Sequence, residues 1–136
     1  MFPFISQEFF YSDLLKFIIR KENKMSLFDN LLEEQKIKVW EKARIVPCFD
    51  PNKYRQDMAG AWIIFDHYGK TDNPLGYGWE IDHQKPISKG GSDSINNLQP
   101  LHWANNRSKA DNYPSFETVV SSSGNKNIPQ QKKWYY

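Results

Sequence analysis

Residues 79–111, WEIDHQKPISKGGSDSINNLQPLHWANNRSKAD, leave the chain few choices of local architecture. A strand is predicted to begin at Trp79. Between Pro86 and Asn96 the chain must turn back. Pro86 lacks a ladder donor, Gly90-Gly91 permits positive φ, and Asp93 can accept from nearby amides. Residues 97–101 read as the returning strand, short and on an edge because of Pro100. Residues 102–110 form a helix-compatible run, stopped by Asn112 and Pro114. The predicted order is strand, loop, strand, helix.

The flanks are less determined. Ser26 with Asp29 three residues on resembles a capping-box start. The Pro-free, Gly-free run to about Arg44 suits a surface helix with a partial apolar stripe of Leu32, Val39, Trp40 and Ala43. Pro47 and Pro51 open a loop. Residues 61–65, AWIIF, are rich in β-formers and read as a strand, although apolarity alone does not separate them from a buried helical turn. Residues 67–78 are dense in turn formers. Two readings of residues 1–24 stand open: a helical extension with Leu14, Leu15, Ile18 and Ile19 on one face, or a segment upstream of a start at Met25. Beyond Pro114 the Ser-, Asn- and Gln-rich composition reads as a polar tail, residues 113–136. Its sharper alternative is a basic-aromatic clamp built on Lys132, Lys133, Trp134, Tyr135 and Tyr136. The expected division is thus 1–24 extension, 25–112 domain, 113–136 tail.

Composition sets limits on function. A chain of 136 residues, 39% hydrophobic and 15% aromatic, supports one modest core. A net charge of +2 is too balanced to argue for a nucleic-acid partner by itself. The single Cys48 allows neither an internal disulfide nor a cysteine zinc site, so a reducing compartment is expected. No run approaches the ~20 apolar residues of a membrane span. The start lacks the order of a secretory signal. A soluble cytoplasmic protein without membrane attachment is the expectation.

The candidate chemistry lies in the same stretch. Hydrolysis of a phosphodiester needs an activated water, a cation on the phosphate and stabilisation of the leaving oxygen. His83 is suited to accept the proton of the water, since an imidazole with its ordinary value of ~6.5 is available in neutral form near pH 7. Asp82 is a hard oxygen ligand and Asn106 offers an amide oxygen, a pair suited to a magnesium-like ion that keeps several waters. Two such ligands are too few and too hard for structural zinc. Asn97 is placed to fix the His83 ring or to brace the loop. Adjacent strand residues face opposite ways, so Asp82 and His83 can serve one site only if the strand ends, bulges or twists there. Lys85, Lys89, Arg107 and Lys109 are candidate phosphate contacts. His102 reads as a helix-start residue or a supporting residue at the rim, and His67 as a loop residue.

These residues resemble the HNH nuclease family, whose shared core is a ββα-metal motif. The resemblance rests on Asp82-His83-Gln84-Lys85-Pro86, Gly90-Gly91, Asn97-Leu98-Gln99-Pro100-Leu101 and Asn106-Arg107-Ser108-Lys109, with weaker likeness upstream to residue 39. It implies that His83 is the general base, that Asp82 and Asn106 ligate the metal, and that Asn97 supports the histidine or its loop. It also implies one-metal cleavage of nucleic acid, most often double-stranded DNA, with magnesium favoured and manganese or nickel possible. Many members brace the fold with two Cys-x-x-Cys zinc knuckles. Here His102 and Asn105 stand at the places of the second pair, so no structural zinc is expected, and packing of Trp62, Trp79, Trp103 and the preceding helix must substitute. The expectation is a small α+β protein, a ββα-metal core plus an N-terminal helix, acting as an endonuclease. The alternative is a nucleic-acid-binding module that cuts only within a larger assembly or not at all. Oligomeric state, including a homo-oligomer, stays open.

Overall fold

The first helix among the described residues, α1 (Asp13–Trp40), contains neither proline nor glycine, which accounts for its 28 uninterrupted residues. The computed structural model describes the backbone of residues 13–136 and the side chains of residues 26–136. It divides into two units, residues 1–35 and residues 36–136. In the first, α1 runs straight through Ser26, so the expected capping box is not a helix start. Ser26 is an interior helical residue, and a cap has no role where the preceding turn already supplies the carbonyls. Leu27, Phe28, Leu31 and Leu32 are exposed along this helix. Residues 1–12 of the expected extension, and the side chains of Leu14, Leu15, Ile18 and Ile19, lie outside the described residues. Among the described residues no helix is long and apolar enough to cross a membrane.

The second unit is assembled from three antiparallel ribbons. The first pairs β1 (Tyr54–Gln56) with β2 (Trp62–Ile64), the latter within the predicted strand. The second pairs β3 (Trp79–His83) with β4 (Leu98–His102), setting Asp82 opposite Gln99 and His83 opposite Leu98. It leads directly into α2 (Trp103–Lys109), giving the expected order of strand, loop, strand and helix. Val39, Trp40, Ala43, Ile63, Trp79 and Leu98 form the core cluster, with Phe65 and Ile81 packed against it. Trp40 meets Trp79 at 5.3 Å between ring centroids and Phe65 edge-on at 5.4 Å. Aliphatic side chains buried like Ile63 contribute about 1.5–3 kcal/mol each. Trp62 and Trp79 thus take their predicted core places. Trp103 does not: it is only partly buried, and its indole donates to the Asn73 carbonyl.

The segment expected to be a polar tail is a third ribbon, β5 (Ser115–Ser123) paired with β6 (Lys126–Tyr135). Phe116, Thr118 and Val120 are buried at period two, the pattern of a half-covered strand. Asn127 fastens the ribbon to β2, accepting from the Trp62 N–H at 2.7 Å and donating to the Trp62 carbonyl at 3.0 Å. Ser121 and Ser122 donate to the carbonyls of Ala59 and Gly60. Polar composition here supplies cross-links rather than solvation.

Hydrogen bonds hold the region around His102 and Asn105. The buried Asp57 carboxylate accepts from the N–H groups of Ala59 and Ala61 on one oxygen. On the other it accepts from the His102 N–H and the Asn105 amide, both at 3.0 Å. Asn105 in turn accepts from Val119 and Val120 N–H at 2.8 Å and donates to the Val120 carbonyl. The bracing expected from packing of the tryptophans and the preceding helix is therefore shared with a polar knot that joins the 57–61 turn, α2 and β5. Because each donor and acceptor is satisfied, the knot does not incur the penalty of an orphaned buried polar group.

Candidate active site

Strand β3 ends at His83, and this early end lets neighbouring residues serve one cleft. Ile81, Asp82, His83, Pro86, Asn106 and Arg107 line a cleft of about 470 Å³, with Ile87, Ser88, Ala110 and Asp111 completing its wall. No bulge is needed: the register of β3 with β4 stays regular through His83.

Asp82 is buried at the cleft floor and is the best-anchored member. Gln99, its cross-strand partner, donates to Oδ2 at 2.9 Å. The Lys109 ammonium lies 3.2 Å from Oδ2 and 3.3 Å from Oδ1. Burial pushes the Asp82 carboxyl above its ordinary value, against the opposing pull of the Gln99 bond and the Lys109 charge. Lys109 is fully buried and also donates to the His83 carbonyl at 2.9 Å. Expected at a flanking phosphate, it is instead an internal counter-ion, because α2 packs against β5 and turns this side chain inward. Gln99 further donates to the Tyr136 hydroxyl, whose own acidity burial suppresses to about 12.

Asn106 projects from α2 with its amide NH₂ donating to Glu80 Oε1 at 3.0 Å. A carboxylate only accepts, so the amide must present its nitrogen to Glu80, and its oxygen is left for the cleft. Glu80 also receives Arg107 at 3.1 Å, an exposed pair that leaves the guanidinium at the cleft edge. Asp82 and Asn106 supply one carboxylate and one amide oxygen, a hard set that fits a divalent cation completed by water and substrate phosphate. Among the described residues no group of three or more His, Cys, Asp or Glu side chains is placed to hold a metal. Any cation here must therefore draw most of its shell from outside the protein.

Asn97 takes the second of its two expected roles. Its oxygen accepts from the Lys85 N–H at 2.9 Å, and its NH₂ donates to the carbonyls of Lys85 and Ser92 at 2.9 and 2.7 Å. It clasps the loop and does not touch the His83 ring. The ring's partner is Asp93, with 2.7 Å between Nε2 and Oδ1. Gly91 lets the loop close: a Cβ there would stand 1.8 Å from the Lys85 carbonyl oxygen. Lys85 sits over the Tyr113 ring, and Lys89 is exposed on the loop, neither on the cleft wall. His102 caps α2 from a buried position, accepting from the Ala104 N–H through Nδ1 and donating to the Gly76 carbonyl through Nε2. Both ring nitrogens are thereby engaged away from the cleft, and burial holds the imidazole below its ordinary value. His67 lies beside Tyr77 in the loop region, away from the cleft wall. Sequence reasoning missed Glu80, Asp93 and Gln99 as parts of the site. Only the strand pairing and loop closure bring them to it.

The family model described as HNH endonuclease matches residues 66–112, a span that contains all of β3, β4 and α2 and leaves residues 39–65 of the weaker upstream likeness outside it. No curated protein and no solved structure matches the chain. The segment that builds this cleft is thus similar to the HNH endonuclease family.

Proposed function

We propose that the chain is a divalent-metal-dependent endonuclease in which β3, β4 and α2 form a ββα-metal core. The observation that carries this reading is the convergence of Asp82, His83 and Asn106 on one cleft, with the amide nitrogen of Asn106 engaged by Glu80. Asp82 and Asn106 would hold the cation, with magnesium the best match to an oxygen set of this size. When bound, that cation supplies positive charge to the phosphate and to the oxygen that departs. His83 accepts a proton from the attacking water as the new O–P bond forms and the opposite P–O bond breaks. The leaving oxygen takes its proton from solvent. Arg107, exposed at the cleft edge, is placed to meet a neighbouring phosphate, with Lys85 and Lys89 as further contacts on the loop side. Lys109 acts from inside, keeping the Asp82 carboxylate ionised and oriented. Double-stranded DNA is the proposed substrate.

A supercoiled-plasmid assay tests the proposal with EDTA, magnesium, manganese or nickel, and with His83→Ala in parallel. Metal-dependent relaxation or linearisation that disappears in the variant is expected. Salt-sensitive DNA binding with no cleavage under any metal would instead favour a nucleic-acid-binding module that cuts only within a larger assembly or not at all.

A further inference from the structure

We propose that Asp93 is the positioning residue for His83, holding the ring so that Nδ1 is the nitrogen that receives the proton of water. This role rests on the nuclease reading above. Asp93 stands ten residues beyond His83, at the far side of the turn, yet its Oδ1 lies 2.7 Å from His83 Nε2. The loop reaches this position without using the Asp93 side chain. Asn97 joins Lys85 to Ser92, the Ser92 hydroxyl accepts from the Ser94 N–H, the Ser94 hydroxyl accepts from the Asn96 N–H, and Gly91 closes against Lys85. Asp93 itself is 87% exposed, and the His83 ring is the one hydrogen-bond partner its side chain has among the described residues. A loop stabiliser would be expected to bond loop backbone, as Asn97 does. Asp93 bonds the ring.

The chemistry of the pair fixes its consequence. A carboxylate accepts and does not donate, so Nε2 must carry the proton. In the neutral imidazole the lone pair then resides on Nδ1, and Asp93 restrains the ring from turning that nitrogen away. Once Nδ1 has taken the proton of water, the ring is cationic, and the carboxylate beside Nε2 faces the charge that has developed.

The test uses the full chain with Asp93→Ala and Asp93→Glu, on plasmid DNA with magnesium. Asp93→Ala is expected to lower kcat roughly 10- to 100-fold with KM little changed, and Asp93→Glu to recover part of the loss. Imidazole ¹⁵N spectra of the metal-free chain should show a hydrogen-bonded Nε2–H on His83 that Asp93→Ala abolishes. Undiminished kcat in Asp93→Ala, or no such resonance, would overturn the role of Asp93 alone. Absence of cleavage by the unaltered chain with any metal would overturn the nuclease reading and this role with it.

Discussion

Lys109 and Asp82 form a buried ion pair, so that removing one partner leaves the other without its counter-charge. Lys109→Met leaves Asp82 as a buried charge with only Gln99 for company, and such a break costs about 3–5 kcal/mol. Chemical denaturation should show that loss, and cleavage should fall with it. His83→Ala is expected to abolish cleavage while metal and DNA binding, followed by calorimetry and gel shift, stay largely intact. Asn106→Ala should weaken metal affinity and be partly rescued at high metal concentration. Equal loss of metal binding in His83→Ala and Asn106→Ala would sink this division of labour. His102 carries a pH prediction. Its buried imidazole has a value lowered from the ordinary 6.5, so the neutral form is the one that the folded state favours. The stability it contributes is present above 6.5 and is lost as pH falls through the lower folded value. Asp57, raised by its burial, works in the opposite sense, and the two groups are neighbours. Comparing the thermal midpoint of the wild type with that of His102→Gln across this window isolates the imidazole. The variant should show the shallower acid slope.

At the scale of elements, the ribbon of β3 and β4 and the helix α2 could be read from punctuation. Pro86, Gly90-Gly91 and Pro100 allow few other arrangements, and Asn97 marks the point of return. Gly91→Ala should therefore destabilise the loop and displace Asp93, because the added methyl meets backbone, which cannot rotate away. A drop in thermal midpoint together with lower kcat is expected. The ribbon of β5 and β6 could not be read in the same way. Its alternation of Phe116, Thr118 and Val120 is short, and serines and asparagines obscure it, since their bonding partners lie some 60 residues upstream. Lys109 was misjudged for a related reason. A lysine on a short polar helix looks solvated until the strand that covers it is known. Asp82, His83 and Asn106, which line one cleft, could be singled out because the chemistry proposed for them depends on residue type and order. Glu80 and Asp93 were not, because theirs depends on which backbone segments lie side by side.

At the scale of the molecule, the Asp57 knot gathers segments that are remote in the chain: the 57–61 turn, the start of α2 and the middle of β5. Asp57→Ala would orphan the N–H groups of Ala59, Ala61 and His102 and release the Asn105 side chain that holds β5, and loss of cooperative unfolding is expected in denaturant titrations. A bracing made of amides and one carboxylate also sets how the protein breathes. The backbone N–H groups of Ala61, His102 and Val120 bond the same small network, so no one of them can open to solvent while the others stay closed. In native-state deuterium exchange these three amides should report one common opening free energy, close to that of global unfolding.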